Sequence, residues 1–454
     1  MTARLDITYD GHAVGVIERH GPGREAISFA YSPAWLSRPG AFPISTRMPL
    51  RAEAFGSAAT YIWFLNLLPE GNDLPLVGRH LGVSHVDVFG LLERLGADVA
   101  GALSIHPPGP AAEQRARYKR LDEADLVEVI RRLEERPLLA GDDGIQMSLA
   151  GAQSKVGVAK AAGGGLALPL GGAPSTFILK PAIRRFYGST ENEHFCLSLA
   201  REIGLDAARS ELGIAGDEPF LLVRRYDRAR QEGGIARLHQ EDFCQACERP
   251  PYAKYEKDKG YGRGPGIADL FAVLDRVSTD KARDRLALRD AIIFNVLIDN
   301  VDAHAKNYSL LIGPGNAVRL APLYDLMCGA VCDGVTRNLA MTVAGSNRGD
   351  HIYGRHWDRL ATAVGFAPLS LRKRVAALAG LLPAAAEALA ARILREEAGR
   401  FPVAPEILDQ ITGVIKARCS RVLINLRREP PPSLEEDEEM LLSRRGTPQS
   451  DLTV

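Results

Sequence analysis

This 454-residue sequence predicts an α+β fold in two lobes, strand-rich first and helical after. Three observations carry that reading. Short apolar or alternating runs punctuated by Gly and Pro recur as far as Val223. Beyond residue 240 the apolar residues fall on a helical period. Inside that helical half stands a polar run, Asp302-Ala-His304-Ala-Lys306-Asn307, followed by a hairpin pattern and a second Asp in Tyr324-Asp325-Leu326.

The bulk numbers narrow the function classes. A chain of this length has room for two or three domains. Lys plus Arg number 56, and Asp plus Glu also 56. No basic excess points to non-specific nucleic-acid binding, although a local basic face stays open. Hydrophobic residues make up 46%, as in an ordinary globular protein. No apolar run reaches the roughly 18 residues of a membrane span. Met1-Thr-Ala-Arg-Leu-Asp lacks a signal-peptide pattern. The expectation is a cytoplasmic chain with no membrane contact. The six cysteines form no small-domain framework, which fits a reducing compartment. Cys244-Gln-Ala-Cys247 has redox or zinc spacing, but no second pair or nearby His completes a site; it reads as two buried helix thiols.

The elements follow in order. Residues 1–106 form a first domain. Leu5 to Tyr9 and Val14 to Ile17 alternate around Asp10-Gly11, a hairpin signal. Helical patterns cover Ala58 to Leu68 and Val86 to Leu95, and Val99 to Leu103 returns to a strand. The Pro-rich stretch His106 to Ala116 is a boundary, and Glu123 to Glu135 is a short helix. Residues 145–228 form a strand-rich lobe, with strands at Val156–Ala161, Ser175–Lys180, Glu211–Ile214 and Phe220–Val223, and a helix at Glu191–Ile203. Residues 229–429 form a lobe expected to be all-α apart from a catalytic hairpin, with Ala/Leu-rich helices over 369–400. Residues 430–454, acidic from Glu435 to Glu439, cannot build a core and read as a disordered tail.

The polar residues at the lobe junction suit phosphoryl transfer, which needs few protein parts. One carboxylate orients the nucleophile; an amide and a second carboxylate hold Mg²⁺ across the phosphates. Asp302, Asn307 and Asp325 stand in the order a protein kinase uses for these roles. Asn300 and Asp302 are expected to face the cleft. Lys306 could stabilise charge on the transferring group, and His304 reads better as a brace for the loop. Thr176-Phe-Ile-Leu-Lys180 is an apolar strand ending in Lys, suited to the α- and β-phosphates. Glu193 opens the next helix and is the Lys180 partner, against the competing reading of Thr190-Glu-Asn-Glu193 as a capping box. Ser148-Leu-Ala150-Gly151-Ala152-Gln153-Ser154-Lys155 is a small-residue loop before a strand, which lets backbone N–H groups approach phosphates.

These residues resemble the HipA family of bacterial serine/threonine kinases, toxins of HipBA-type toxin–antitoxin pairs. The likeness rests on an ordered set: Phe64-Leu-Asn-Leu-Leu-Pro-Glu-Gly71, Asp87 to Gly96, Ser148 to Lys155, Phe177-Ile-Leu-Lys180-Pro181, Asn192-Glu193, Arg225-Tyr-Asp-Arg228, His239-Gln-Glu-Asp242, Asn300 to Asn307 and Pro322 to Asp325. It implies a kinase-like two-lobed fold with an extra N-terminal domain, ATP and Mg²⁺ as cofactors, and transfer to a protein. It also implies that Ser148 is an autophosphorylation site whose modification ejects the phosphate loop. Arg224, Arg225 and Tyr226 match the segment that holds adenine through backbone groups. Arg224 and Ser154 depart from the acidic residues common there. The implied partners are a helix-turn-helix antitoxin like HipB, through which operator DNA is engaged, and a protein substrate; family substrates include aminoacyl-tRNA synthetases. Two other readings stay open: a catalytically weak corepressor acting through the antitoxin, and a small-molecule kinase of related fold.

Overall fold

The computed structural model describes residues 3–21, 23, 25–109, 116–161, 163–232, 234–257, 260 and 262–428. The expected tail, 430–454, lies outside them. The first domain is built on an antiparallel sheet with strand order Ile27–Tyr31, His12–Arg19, Ala3–Tyr9, Ser104–His106. Asp10 and Gly11 both take positive φ, 48° and 72°, the geometry that Asp-Gly supplies in a two-residue hairpin. One face of the sheet is apolar: Leu5, Ile7, Val14, Ile17 and Phe29 are buried. Helices Ser57–Leu65 and Val88–Leu95 contribute Phe64, Leu91, Leu92 and Leu95 to the same core.

The strand expected at Val99–Leu103 is not one; the strand is Ser104–His106. Its carbonyls have other partners. Val99 O accepts from Arg225 and Arg228 at 2.8 and 3.0 Å, and Gly101 O from Arg228 at 2.8 Å. Arginines of the second lobe therefore replace a ladder here.

The second lobe is a six-stranded antiparallel sheet in the order Arg117–Leu121, Leu166–Leu170, Val156–Lys160, Phe177–Pro181, Glu218–Arg224, Ser210–Ala215. It begins near residue 117 rather than at 145, because Arg117–Leu121 pairs with Leu166–Leu170. Alternation along Glu218–Arg224 divides two cores. Phe220 and Leu222 join Val129 and Ile130 of helix Glu123–Arg132, and Leu133 just past its end, on one face. Leu221 and Val223 join Phe195 and Leu199 of helix Ser189–Glu202 on the other.

The C-terminal lobe is mainly helical, with Lys281–Leu297, Pro368–Glu396 and Pro405–Asn425 as its long helices. It is not all-α. His239–Asp242, Ser309–Gly313 and Ala317–Leu320 form a three-stranded sheet, and Asn338–Val343 pairs with Ser346–Arg348. Among the described residues, Pro368–Glu396 alone is long and apolar enough to cross a membrane. Its Leu371, Val375, Leu378, Leu382, Leu389 and Ile393 are buried in the same core as Ile407, Ile411, Ile415 and Val422 of the next helix. This stripe at helical spacing is what bundle packing requires.

Candidate active site

Charges converge on Lys180, near the end of strand Phe177–Pro181. Its Nζ lies 2.7 and 2.9 Å from the two Glu193 oxygens and 2.8 Å from Asp325 Oδ1. The capping box at Thr190 does not form. Helix Ser189–Glu202 starts earlier, with Gly188 at φ 65° as its N-cap. A Cβ on Gly188 would lie 2.7 Å from Ile407, so glycine is required there twice over. Thr190 sits in the first turn and donates to Glu191 at 2.6 Å, leaving Glu193 for Lys180. Burial works against the Lys180 ammonium, yet Asp325 and Glu193 hold it above the usual lysine range. Burial likewise works against the Asp325 carboxylate, and Lys180, then Lys155, hold it well below the usual range.

The hairpin Ser309–Gly313 and Ala317–Leu320 carries the chain from Asn307 back to Asp325. Asp325 sits at φ 57°, a left-handed position that Asp and Asn tolerate better than most residues. Its side chain stays 38% exposed. Asn307 Nδ2 donates to Asp302 O at 2.8 Å. This leaves Asn307 Oδ1 and Asp325 Oδ2 with no donor among the described residues. Two hard oxygens fit Mg²⁺, which is held in such sites by one or two protein groups plus phosphates and water.

Amides brace the catalytic loop from beneath. Asp302 N donates to Asn300 Oδ1 at 3.3 Å, Asn300 Nδ2 to Asn295 Oδ1 at 2.9 Å, and Asn295 Nδ2 to Tyr308 Oη at 2.9 Å. Asn300 is therefore buried and faces inward, not into the cleft as expected. Asp299, at φ 57°, is ion-paired with Arg418 and Arg337. The Asp302 side chain is 62% exposed, as a group that meets an acceptor must be. Its Oδ1 accepts from Tyr255 Oη at 2.7 Å. His304 is buried, edge-on to Tyr255 with ring centroids 5.1 Å apart. Burial, then Lys254, pushes His304 down to about 4, so it is neutral near pH 7, and its buried Nδ1 makes no hydrogen bond among the described residues.

Lys306 is corrected. Its buried Nζ donates to Asn66 O, Asn66 Oδ1 and Asp242 Oδ2 at 3.1, 2.8 and 2.5 Å. An ammonium has three protons, and all three are in use inside the protein. It ties the catalytic loop to the first domain rather than meeting a phosphate.

The loop Ser148–Lys155 is docked on the first domain. Ser148 is fully buried; its N donates to Asp98 O at 3.0 Å and its Oγ to Leu67 O at 2.7 Å. Glu70 N donates to Gly151 O at 3.2 Å. Gly151 is at φ 111°, and a Cβ there would meet Lys155 Nζ at 2.3 Å. Lys155 Nζ donates to Ala150 O at 2.8 Å, closing the loop on itself. Gln153 donates to Pro181 O at 3.3 Å, next to Lys180. Ala152 is exposed and Ser154 half-buried. Burial, then Lys180, pushes Lys155 down to about 8.

In the linking segment, Arg224 N donates to Arg209 O at 2.8 Å and Arg225 N to Thr176 O at 3.0 Å. Neither N–H is free for a base. The Arg225 side chain is buried against Asp227, Ser175 and Val99 O at 2.7–2.9 Å. Tyr226 hydrogen-bonds Gln240 and lies tilted on Tyr324, with centroids 5.7 Å apart. Cys244 is buried in helix Phe243–Ala246, and Cys247 is half-buried just past its end. Burial pushes Cys247 up to about 12, and no cluster of three or more His, Cys, Asp or Glu fit for a metal occurs among the described residues.

Three residues at this site were not singled out from sequence. Glu70 falls within the Phe64–Gly71 motif, where no role was assigned to it. Lys254 and Tyr255 lie in a polar stretch without periodicity. Their meeting is tertiary: Lys254 Nζ donates to Glu70 Oε2 at 2.8 Å, and Ala305 N to Lys254 O at 3.2 Å.

Comparison with known proteins places the chain in a family. Residues 5–106 match the HipA N-terminal domain, and residues 147–392 the HipA-like C-terminal domain. The chain is 42% identical over 410 residues to the Y4mE protein of Sinorhizobium fredii, covering 87% of this chain and 93% of that one. It is 31% identical over 315 residues to the serine/threonine-protein kinase toxin HipA of Shewanella oneidensis, covering 66% and 70%. A solved structure of Shewanella oneidensis HipA with HipB and operator DNA superposes with a TM-score of 0.79 at 25% identity, over 92% of this chain and 97% of that one. With both domain models matched in order and the two-lobed kinase-like fold in place, the chain belongs to the HipA family.

Proposed function

We propose that the chain is a serine/threonine protein kinase acting as the toxin of a toxin–antitoxin pair, using ATP and Mg²⁺. The observation that carries this is Lys180 held between Glu193 and Asp325 while Asp302 and Asn307 share one loop across the hairpin. Lys155 and the backbone of Ala150–Lys155 bind the phosphates, and Lys180, whose three protons go to Glu193 and Asp325, joins them in exchange for its Asp325 bond. Asn307 and Asp325 would hold Mg²⁺, which supplies neutralisation of the phosphate charge. Asp302 accepts the proton of a serine or threonine hydroxyl. The acceptor oxygen forms its bond to the γ-phosphorus as the β,γ-bridging bond breaks and ADP leaves.

Ser148 is the proposed self-phosphorylation site, and its loop the element displaced by that modification. A small helix-turn-helix antitoxin is the proposed partner, with operator DNA engaged through it, as the complex of the Shewanella relative supports. The proposed location is the cytoplasm. The decisive experiment is phosphoproteomics after controlled expression, comparing the intact chain with Asp302→Asn. New phosphoserine or phosphothreonine sites that appear only with the intact chain support the reading and name the target. Identical phosphoproteomes, together with no phosphate transfer in vitro, remove it.

A further inference from the structure

We infer that Tyr255 is a positioning residue for phosphoryl transfer: its hydroxyl, donating to Asp302 Oδ1, fixes the carboxylate so that Oδ2 alone faces the acceptor. The inference rests on the kinase reading of Asp302. The hydrogen bond is 2.7 Å long and is made to a side chain otherwise 62% exposed. A free carboxylate at that exposure rotates about χ2, a broad and soft torsion. An acceptor hydroxyl then meets either oxygen at a changing angle, and reactive geometry is lost. One donor on one oxygen removes that freedom.

Tyr255 can do this because it is itself held on every side. On its N-terminal side, Lys254 O accepts from Ala305 N of the catalytic loop at 3.2 Å, and Lys254 Nζ reaches Glu70 at 2.8 Å. On its C-terminal side, Glu256 N donates to Ala340 O at 3.2 Å, and Glu256 Oε2 accepts from Thr342 N at 2.5 Å. The chain also doubles back: a Cβ on Gly264 would lie 2.2 Å from Tyr255 O. The ring packs edge-on to His304, whose Nε2 is 4.0 Å from Asp302 Oδ2. Burial, then the neighbouring Asp302, raises the Tyr255 phenol above its ordinary range, so it remains a donor. The phenol thus reaches the carboxylate from a backbone tied through Lys254 and Glu70 to the first domain, with the His304 ring packed against it.

The test uses the full chain with Tyr255→Phe and Asp302→Asn, Mg-ATP, and dephosphorylated casein as a generic serine acceptor beside self-phosphorylation read by intact mass. Tyr255→Phe keeps the ring and should melt with the wild type and bind Mg-ATP within about twofold. At saturating casein, kcat should fall by about tenfold or more with KM for casein changed by less than about threefold. An unchanged kcat makes the hydroxyl a bystander. A higher turnover or a lower KM makes it a competitor for the acceptor position. Either result overturns the inference. A second readout does not depend on activity: 3-fluorotyrosine at position 255 should shift its ¹⁹F resonance on Asp302→Asn, and no shift removes the contact. A wild type that transfers no phosphate sinks the kinase reading; an active wild type with an unaffected Tyr255→Phe sinks only the positioning role.

Discussion

Lys180 and Asp325, 145 residues apart in sequence, meet at 2.8 Å. One belongs to the sheet lobe and the other follows the hairpin Ser309–Leu320, so their pair sets the distance between the lobes at this point. Asp325→Asn keeps the left-handed backbone, which Asn also tolerates, and Glu193 still holds Lys180. The fold should survive. A metal oxygen is lost, so Mg-ATP should bind more weakly and phosphotransfer should fall by about 10²–10³-fold or more. Asp302→Asn should melt and bind Mg-ATP like the wild type, because its side chain is exposed, and should still lose transfer. Calorimetric titration and a radiolabel assay on both variants separate the roles. Near-normal transfer by either one would sink its assignment.

Ser148 Oγ has no room for a phosphate where it stands. It is fully buried and donates to Leu67 O. Phosphorylation replaces that donor and adds roughly −1.5 to −2 charges against a backbone carbonyl. The loop from Ser148 to Lys155 must then leave its seat on the first domain. Ser148→Asp should bind Mg-ATP poorly. Ser148→Ala should lose about 1 kcal/mol of stability, the worth of one hydrogen bond, and keep its affinity. Intact-mass and peptide mapping after incubation with Mg-ATP check the site itself; a phospho-Ser148 chain that binds ATP normally would defeat the switch.

Lys155 gives the site a pH dependence. Burial and Lys180 lower it to about 8, so the free protein loses this proton as pH rises through that value. Bound phosphates favour the ammonium and raise it again. Mg-ATP affinity should therefore be full below about pH 8 and decline above it, with proton uptake on binding near that pH. Titration in buffers of different ionisation enthalpy measures the uptake. Lys155→Met should bind more weakly and show none of this slope; an unchanged slope would assign it to another group.

The order of chemistry along the chain was legible because it is local. Lys180 ends an apolar strand, Asp302 and Asn307 share one loop, and the hairpin that returns Asp325 announces itself in Gly313-Pro-Gly-Asn316. What was not legible depends on partners remote in sequence. Lys306 looks like a phosphate ligand until Asn66 and Asp242 are seen to take its protons. Asn300 points away from the cleft for the same reason, having found a buried acceptor. Val99–Leu103 has strand composition, but its carbonyls serve arginines from the next lobe. Tyr255 carries no periodicity or motif, and only the fold brings it to Asp302.

Asp98 is the anchor between the first domain and the linking segment. Its Oδ1 lies 2.8 Å from Arg228 Nη2, and its Oδ2 accepts from Ser175 N and Oγ at 3.0 and 2.6 Å. Arg237 and Arg225 stand at 3.5 and 3.6 Å. Burial alone would raise the Asp98 carboxyl; Arg228, then Arg225 and Arg237, hold it well below the usual range. Its folded value is thus below its unfolded one. The stabilisation is complete above about pH 4, the unfolded value, and drains only as pH falls toward the lower folded value. Asp98→Ala leaves buried guanidinium groups short of a counter-charge and should cost about 3–5 kcal/mol. Asp98→Ala combined with Arg228→Met should cost clearly less than the two single changes summed, since each single change strands the other's charge. Urea unfolding of the four proteins at neutral pH measures the coupling, and a repeat at acid pH should find the wild-type advantage reduced. Additive costs would show that the first domain is held by its apolar contacts and that the ion network is incidental.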